Sequence, residues 1–256
     1  MKRVVIVGGG NLAESVALAL VESQEVELVQ IYLRRAERGA ELSALVGVPY
    51  STFEGPLAAA DIYLLAVSDQ ALAQLSSQLD FAPGAVVAHT AGSSSIEVLD
   101  ERVRRAVFYP MQTFTAGRRV DFAAIPIFVE AADRATLAEL EWLAGALGCR
   151  SIELDSESRR RLHLSAVFAC NFVNAMFIAG EELVAESGLP FEILKPLIEE
   201  CCFKAIDAPS ARPLQTGPAV RGDQATMARH EAMLSPELKT IYQNISKYIW
   251  ETSKKI

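Results

Sequence analysis

The sequence predicts an α/β fold in which a doubly wound domain over residues 1–155 is followed by an all-α domain over residues 156–256. In the first part of the chain, short runs of β-branched residues alternate with segments that have apolar residues at helical spacing. Such alternation is typical of a parallel sheet whose strands are connected by helices. From residue 156 onward only helical spacing is found, and the longest apolar segment lies there.

The first strand and the first helix enclose a glycine-rich turn. Residues 4–7 predict a buried strand, residues 12–20 predict a helix, and the turn between them fits the pattern G-x-G-x-x-A. In this pattern Gly8 permits a tight turn, Gly10 lets the backbone approach a pyrophosphate, and Ala13 lets the helix pack on the strand. Because N–H groups at the start of a helix attract phosphate, the segment predicts a Rossmann-type dinucleotide-binding domain rather than a plain strand–turn–helix.

The predicted second strand, residues 26–33, ends at Arg34 and Arg35. A site that prefers NAD carries an acidic residue about 20 residues after the glycines, where it bonds the ribose hydroxyls, whereas an arginine there suits the 2′-phosphate of NADP. The pair therefore predicts NADP(H) as the cofactor. The alternative is that the two arginines are only the exposed start of the next helix, residues 36–46.

The remaining elements are predicted in chain order from the same patterns. Further strands are expected over residues 48–50, 61–67, 85–88, 105–108, 125–130 and 151–154. Further helices are expected over residues 71–79, 133–147, 158–186, 191–206, 223–234 and 235–250. Asp133, Asp223 and Ser235 are expected to cap three of these helices, and residues 207–222 are expected to be a loop rich in proline and glycine.

The ends of the fourth and fifth strands are expected to face the cofactor, because ligands of open α/β sheets bind outside the carboxyl ends of strands. The predicted cofactor-binding residues are Gly8, Gly10, Asn11, Leu12, Ala13, Arg34, Arg35, Ala66, Val67, Ser68, Thr90, Ala91 and Gly92. The alternative for the two loops is that their small and polar residues serve turn formation alone.

The composition is ordinary for a soluble globular enzyme. The formal net charge is −8, with 51% hydrophobic and 22% charged residues, which argues against a nucleic-acid partner. Short basic clusters, such as residues 159–161, are expected to be solvated faces or helix ends. The four cysteines lack the spacing of a metal site, so no metal is expected, and they indicate a reduced, cytoplasmic setting. The first strand begins so early that no leader peptide is expected.

Residues 164–180 are apolar almost throughout, which tests the expectation of a soluble protein. The segment is at the short limit for a membrane span and contains Ser165, Asn171 and Asn174. A helix that is apolar on all sides is equally typical of the centre of a domain or of a dimer. We therefore expect no membrane partner, and a homodimer formed through the C-terminal helices.

Three polar residues of this helix are candidate catalytic groups. At about 100° per residue, His163 and Asn174 lie about 20° apart around the helix and Asn171 about 80° further round. An imidazole can donate a proton to a developing alkoxide or amine, and the amides can hold a carbonyl or a carboxylate. The alternative is a set of satisfied polar groups in the core. His89 competes as proton donor, whereas His230 is expected on a helical surface.

The predicted loop over residues 207–222 is long enough to indicate a function, because structureless loops of more than about 12–15 residues are uncommon. Gln215, Thr216 and Arg221 can close over a ligand, and the fork-shaped guanidinium of Arg221 suits a carboxylate. Together with Gln112 after the sixth strand, they are the candidate substrate residues. The alternative is a proline-rich connection between helices.

Five motifs carry a resemblance to a known family over nearly the whole chain. They are GGGNLA (residues 8–13), HTAGS (89–93), FYPMQTF (108–114), LHLSAVFACNFVN (162–174) and QTGPAVRGD (215–223). The chain resembles the proteins that join a Rossmann-like domain to a C-terminal helical domain of uncharacterised function, DUF2520, and that are regarded as NADP oxidoreductases. It is more distantly similar to pyrroline-5-carboxylate reductase, coenzyme-F420-dependent NADP reductase and the 6-phosphogluconate dehydrogenase-like enzymes.

The resemblance implies that a Rossmann domain presents NADP(H) to a substrate held by a dimerising helical domain. The β-hydroxyacid dehydrogenases carry a catalytic lysine four residues before an asparagine of the long helix, but Val167 and Cys170 occupy those positions here. That mechanism therefore does not transfer. We expect an NADP(H)-dependent oxidoreductase that acts on a small, carboxylate-bearing carbonyl or imine compound; the alternative is a non-catalytic NADP(H)-binding sensor or scaffold.

Overall fold

The computed structural model describes residues 1–254 and divides into two compact units. The first unit is Met1–Asn171, and the second begins at Phe172. The first unit extends past the predicted domain boundary, because Ser156 and Arg159, near the start of the helix that follows it, bond to Glu130 of the sheet.

The first unit is a mixed sheet with connecting helices. Its strands are β1 Lys2–Val7, β2 Val26–Leu33, β3 Tyr50–Thr52, β4 Ile62–Leu65, β5 Val86–His89, β6 Arg104–Pro110, β7 Ile127–Ala131 and β8 Ser151–Glu153. Its helices are α1 Asn11–Glu22, α2 Ala36–Val46, α3 Asp69–Gln78, α4 Arg134–Ala146 and α5 Ser156–Ala166. The strands lie in the order β3-β2-β1-β4-β5-β6-β7-β8. The predicted α/β class is confirmed.

The centre of the sheet is β1, whose residues Val4, Val5, Ile6 and Val7 are all fully buried. Successive side chains of a strand point to opposite faces, so burial of all four requires cover on both faces of the sheet. Since β2 and β4 pair with β1 on opposite sides, the strand order reverses there. The crevice outside the carboxyl end of β1 is therefore the position at which such sheets bind ligands.

The predicted elements of the first unit lie within about two residues of the observed bounds, in keeping with how helix and strand ends vary. In the predicted third strand Val48 is buried, but pairing begins only at Tyr50, opposite Ile31. The apolar Val48 therefore indicated a buried position and not the first residue that pairs with β2. All the neighbouring strands are parallel except β6 and β7, whose connection contains the 3₁₀ turn Phe122–Ala124 in place of an α-helix.

The long apolar segment is helical over Ser156–Glu186 but is interrupted by one turn of another helix type. α5 passes into a π-helical turn, Val167–Asn171, and then into α6, Phe172–Glu186. A π-helix bonds residue i to i+5, so the 100° per residue used to place His163 and Asn174 on one stripe does not hold across this turn. That part of the prediction is wrong.

Ser156–Glu186 is also the one helix of the described chain that is long and apolar enough to cross a membrane, with a mean hydropathy of 1.6. A single helix of this kind is weak evidence for a span. Its apolar part is not buried within the described chain. It is therefore not the buried centre of a domain, and its burial in a dimer stays a prediction.

The second unit is helical where it is described. After α6 come the 3₁₀ turn Phe191–Leu194, α7 Lys195–Asp207, the 3₁₀ turn Arg212–Leu214, α8 Pro218–Arg221, α9 Gln224–Glu231 and α10 Pro236–Ser253. The predicted cap Asp223 accepts a hydrogen bond from the backbone N–H of Thr226, and the predicted cap Ser235 accepts one from that of Leu238. The prediction of an all-α second part is confirmed.

The prediction of a loop over residues 207–222 is wrong in part, since the segment contains a 3₁₀ turn and α8. Pro213 and Pro218 lie in the first turns of these elements, where a missing N–H removes no hydrogen bond. Gly222 ends α8 with a φ of +67°, and a Cβ there would lie 3.1 Å from the ring of Trp250. Proline and glycine here begin and end a helix instead of preventing one.

Candidate cofactor and active site

The structure gives different reasons for the glycines at positions 8 and 10 of the first turn. Gly8 has a φ of +134°, and a Cβ there would lie 2.1 Å from the carbonyl oxygen of Ala66, so the packing of the chain itself requires glycine. Gly10 has a φ of −77° and a ψ of −179°, and a Cβ there would have no atom within 4 Å. Folding does not require glycine at position 10. The open space fits a pyrophosphate that approaches the backbone at the start of α1.

A groove of about 490 Å³ opens along this turn. It brings together nine predicted cofactor residues: Gly8, Gly10, Asn11, Leu12, Arg34, Arg35, Ala66, Val67 and Ser68. Ala13 lies in the core instead, where its small side chain lets α1 pack on the sheet. Thr90, Ala91 and Gly92 are not part of the groove lining and lie on the loop after β5.

Three arginines line the groove, and they differ in whether their side chains already bond to other groups of the protein. Arg34 and Arg35 are exposed, and within residues 1–254 their side chains make no hydrogen bond or ion pair. Arg38 is half-buried; its Nε donates to the carbonyl oxygen of Gly9 at 3.0 Å and its guanidinium pairs with Glu14. Arg34 and Arg35 are therefore free to meet a 2′-phosphate, whereas Arg38 supports the glycine turn.

Glu14 joins the glycine turn to the segment that follows β6. Its side chain is buried, one carboxylate oxygen accepts the N–H of Gly117 at 2.8 Å, and the other pairs with Arg38. Burial raises the pKa of Glu14, but the bonds from Gly117 and Arg38 together outweigh burial and hold the pKa below its ordinary value. The adjacent Arg38 offsets a carboxylate charge that would otherwise repel phosphate. Asn11 adds a second link, because its Nδ2 donates to the carbonyl oxygen of Phe114 at 3.1 Å.

The loop after β5 is held from inside the fold by His89, which is fully buried. Its Nδ1 accepts the N–H of Ala91 at 3.2 Å, and its Nε2 lies 3.3 Å from the carbonyl oxygen of Ser95, to which it donates. Burial, followed by the charge of Arg159, lowers the pKa of His89 to about 4. A neutral imidazole with both nitrogens bonded supports the loop and does not compete as proton donor.

Two charged residues hold the same loop from its other sides. The hydroxyls of Ser93 and Ser94 both donate to one carboxylate oxygen of Asp69. Burial raises the pKa of Asp69, but these bonds hold it below its ordinary value. The guanidinium of the fully buried Arg159 pairs with Glu130 and donates to the carbonyl oxygen of Ser94. Protein side chains thus hold the loop from two sides.

Tyr109 of β6 and His163 of α5 meet beside this loop. The phenol oxygen of Tyr109 lies 3.1 Å from Nδ1 of His163. A Cβ on Gly92 would lie 2.6 Å from that nitrogen and 2.9 Å from Cζ of Tyr109, so the loop backbone touches the pair. Burial raises the pKa of Tyr109 against an opposing effect of Arg159. The phenol therefore stays neutral, and it bonds Nδ1 as donor or acceptor according to the protonation of the ring. In either case Nε2 is the nitrogen left for a ligand.

The other predicted residues of the first unit are less enclosed. Asn171 is exposed at the end of the π-helical turn. Gln112 is exposed, and its Oε1 accepts the N–H of Thr113 at 2.8 Å. Their roles stay predictions.

The remaining candidates lie in the second unit. Asn174 on α6 and Arg221 at the end of α8 are exposed. Gln215 donates from Nε2 to the carbonyl oxygen of Thr216 at 3.1 Å, and Thr216 lines an apolar pocket of about 370 Å³. His230 is half-buried rather than on an open helical surface, with its Nδ1 2.9 Å from the phenol oxygen of Tyr242.

Sequence reasoning missed Glu14, Arg38, Tyr109 and Arg159. Only Tyr109 had a usable signal, because it lies in the FYPMQTF motif at the end of a predicted strand. The basic cluster 159–161 does lie near a helix end, the start of α5. Arg159 is nevertheless not solvated, because it turns into the fold to pair with Glu130.

The comparisons with known proteins agree with this architecture. Residues 125–249 match the model of a domain of unknown function, DUF2520, and residues 3–92 match that of the coenzyme F420-dependent NADP oxidoreductases. The crystal structure of a protein from Bacteroides fragilis, described as an NADP oxidoreductase, is similar to this chain. The two chains are 37% identical in sequence, the TM-score is 0.91, and the match covers 98% of each chain. The search of curated proteins found no match.

Two further enzymes are similar at lower identity. Pyrroline-5-carboxylate reductase from Streptococcus pyogenes is 13% identical, with a TM-score of 0.63, and the match covers 100% of this chain and 99% of that one. A reductive aminase from Aspergillus terreus, solved with NADPH and ethyl-5-oxohexanoate, is 16% identical, with a TM-score of 0.67 and coverage of 97% and 93%. These two similarities show the fold alone. The 37% identity over nearly the full length shows more: the chain belongs to the family of NADP oxidoreductases that join a Rossmann domain to DUF2520, and NADP(H) is the cofactor of that family.

Proposed function

We propose that this chain is an NADP(H)-dependent oxidoreductase that moves hydride between nicotinamide and a small carbonyl or imine compound bearing a carboxylate. The observation that carries the proposal is the contact of Gly92 with the pair Tyr109–His163. It joins the loop at the carboxyl end of β5 to an imidazole that can donate a proton. When bound, NADPH supplies the hydride, and the protein supplies position and charge.

The cofactor residues divide by the part of the dinucleotide that they would hold. The glycine turn would bind the pyrophosphate through Gly8, Gly10, Asn11 and Leu12, with Ala13 supporting it from the core. Arg34 and Arg35 would bind the 2′-phosphate, which their exposure and lack of protein partners within residues 1–254 support. Ala66, Val67, Ser68, Thr90, Ala91 and Gly92 would line the side toward the nicotinamide.

His163 is the proposed proton donor. Reduction of a carbonyl leaves an electron pair on oxygen, which must take up a proton. As an imidazolium, His163 would donate from Nδ1 to the phenol oxygen of Tyr109 and from Nε2 to the substrate oxygen. After the transfer the neutral ring keeps its proton on Nδ1. Water can then return a proton to Nε2.

The proposed substrate contacts are based on residue chemistry alone. We assign Asn171, Asn174 and Gln112 to orient the substrate, and Gln215, Thr216 and Arg221 to bind it, on the basis of their donors and acceptors and, for Arg221, the fit of guanidinium to carboxylate. The imine class is supported by the fold shared with a pyrroline-5-carboxylate reductase and a reductive aminase.

A screen of 2-oxo acids and cyclic imines, followed by NADPH absorbance, tests the reaction. For a compound that is turned over, His163→Asn should lower kcat by about 10²–10⁴-fold and keep the NADPH affinity. His230→Asn is the matched control, because it removes an imidazole bonded to a tyrosine in the second unit. Wild-type kcat in His163→Asn would remove it as donor, and NADPH binding without turnover would favour the sensor alternative.

We also propose that the chain forms a cytoplasmic homodimer through its C-terminal helices. Large apolar side chains of the second unit, including Leu197, Phe203 and Ile206, are between 60% and 76% exposed, which is typical of an interface. All four cysteines are free thiols, as suits a reducing compartment. Sedimentation equilibrium at micromolar concentration should give twice the chain mass of 27.8 kDa, and a stable monomer would contradict the dimer.

A further inference from the structure

Arg159 is the bulkiest fully buried side chain of the described residues, and it precedes His163 by one helical turn on α5. Its guanidinium pairs with the carboxylate of Glu130 on β7 and donates to the carbonyl oxygen of Ser94. It also donates to the hydroxyl of Ser156 at 3.2 Å. One side chain therefore joins β7, the loop after β5 and the helix that carries His163.

The bond to Ser94 lies two residues from the closest approach in the proposed site. A Cβ at Gly92 would lie 2.6 Å from Nδ1 of His163, so loop and helix touch there without spare room. Ser156 reinforces the same junction, since its hydroxyl accepts the N–H of Ile96 at 3.0 Å. A small shift of the loop relative to α5 would therefore change the contact between Gly92 and His163.

Stability alone does not account for this arrangement. Removing a guanidinium and a carboxylate from water is costly, and well-packed apolar residues often replace such a pair without loss of stability. Nε of Arg159 is buried and has no hydrogen-bond partner among the described residues, which adds to the cost. Because a buried ion pair is weak evidence for stability, and because this one connects three segments, we attribute it to the geometry that it maintains.

We propose that Arg159 is a positioning residue of the active site: by holding the Ser94 carbonyl and the Glu130 carboxylate, it fixes the loop after β5 against His163. Because its side chain is fully buried, it acts through Gly92 and His163. This inference rests on the proposed function and adds a residue that is neither a cofactor contact nor a substrate contact.

The test uses a double variant that removes both charges. Arg159→Met alone leaves the carboxylate of Glu130, whose side chain is only 17% exposed, without its cationic partner and is expected to fold poorly. Combining it with Glu130→Gln removes that charge and keeps an acceptor for the hydroxyl of Ser156. The matched control is Arg161→Met, because Arg161 lies on the same helix with a side chain that is 79% exposed and pairs with Glu157.

We expect the double variant to fold and still to bind NADPH, because the glycine turn over residues 8–13 is not changed. Its kcat should fall by about 10²-fold, as a misplacement of about 1 Å does in other enzymes, while KM changes much less. Arg159→Lys should recover part of kcat, since it keeps the charge but lacks the fork that reaches two partners. Backbone amides of residues 90–96 should exchange faster in the double variant, while those of residues 8–13 keep their wild-type rates.

Three results would overturn the proposal. A folded double variant with wild-type kcat, or an equal loss in Arg161→Met, would show that Arg159 does not position the site. Unchanged amide exchange over residues 90–96 would show that it does not hold the loop. The exchange measurement needs no substrate, so it tests Arg159 even if the proposed reaction is wrong.

Discussion

The phenol oxygen of Tyr109 lies 3.1 Å from Nδ1 of His163, so the protein engages one nitrogen of this imidazole and leaves the other for a ligand. The two residues are 54 positions apart in the chain and belong to β6 and α5. The backbone of Gly92, on the loop after β5, lies against both side chains. A strand end, a loop and a helix thus converge on one imidazole.

Replacing Tyr109 by phenylalanine tests the role of that hydroxyl. The ring should still pack against Phe128, whose centroid lies 6.4 Å away, so the fold should be kept. We expect kcat to fall by about tenfold, or about 1.4 kcal/mol in the activation barrier, because the imidazole loses the partner that orients it. Steady-state kinetics measures the loss, and fluorescence titration should show unchanged NADPH affinity.

Tyr242→Phe is the matched control for this experiment. The phenol oxygen of Tyr242 lies 2.9 Å from Nδ1 of His230, so the variant removes the same kind of bond from the second unit. It should keep the wild-type kcat. A similar loss in both variants, or none in Tyr109→Phe, would contradict the assignment of Tyr109 to the site.

Alanine substitutions at Gly8 and Gly10 should separate packing from ligand binding. Gly8→Ala places a methyl group 2.1 Å from the Ala66 oxygen at a φ of +134° and should cost about 3 kcal/mol in the free energy of unfolding of the apo protein. Gly10→Ala meets no atom within 4 Å, so thermal melting without ligand should be unchanged.

NADPH titration then shows what Gly10 does. If a pyrophosphate approaches the backbone there, the added methyl group should raise the Kd at least about tenfold, which is about 1.4 kcal/mol of binding free energy. Wild-type affinity in Gly10→Ala would place the pyrophosphate elsewhere. Gly8→Ala is not informative on this point, since its main effect is on folding.

The arginines of the groove are expected to have two separate effects: Arg34 and Arg35 on the preference for NADP+ over NAD+, and Arg38 on the affinity for both cofactors. In the wild type, NADP+ should raise Tm more than NAD+ at equal concentration, because the tighter ligand stabilises the folded state more. The variant Arg34→Ser/Arg35→Ser should lose that difference. Arg38→Ala should weaken both cofactors alike, because its guanidinium holds Gly9 and Glu14. Equal Tm shifts in the wild type would overturn the assignment of Arg34 and Arg35.

Much of the fold could be predicted because its boundaries depend on local chemistry. The bounds predicted for β2 and α2 coincide with those observed. The buried run of β2 stops where Arg34 begins, and α2 stops at Gly47, which adopts a φ of +72°. Such signals lie within a few residues of the boundary that they set.

The candidate site was only partly predictable because its contacts depend on the tertiary fold. Gly117 bonds to Glu14 from 103 residues away, and Arg159 reaches Glu130 from 29 residues away. Nothing in the local pattern separates Arg159 from its exposed neighbours. The π-helical turn Val167–Asn171 was missed for a related reason, since apolar spacing reports the buried face and not the backbone bonding.

The burial of His89 predicts a pH dependence of stability with a definite sign. In the unfolded chain its imidazole should titrate near the ordinary pKa of 6.5, whereas in the folded protein the pKa is lowered to about 4, first by burial and then by Arg159. Between these values the unfolded chain binds a proton that the folded protein does not. The stabilising effect of the neutral ring is therefore complete above about pH 6.5 and is lost as the pH falls toward 4, by about 3 kcal/mol in total.

His89→Gln should remove that dependence. A glutamine can accept from the N–H of Ala91 and donate to the Ser95 carbonyl, as the imidazole does, but it does not titrate. The free energy of unfolding, measured by urea titration between pH 7.5 and 4.5, should fall less steeply in the variant than in the wild type. If His89 were instead buried as a charged partner of Asp69, its pKa would be raised, and the variant would be less stable than the wild type chiefly on the acid side. Parallel pH profiles for the two proteins would show that His89 does not titrate differently in the folded and unfolded states.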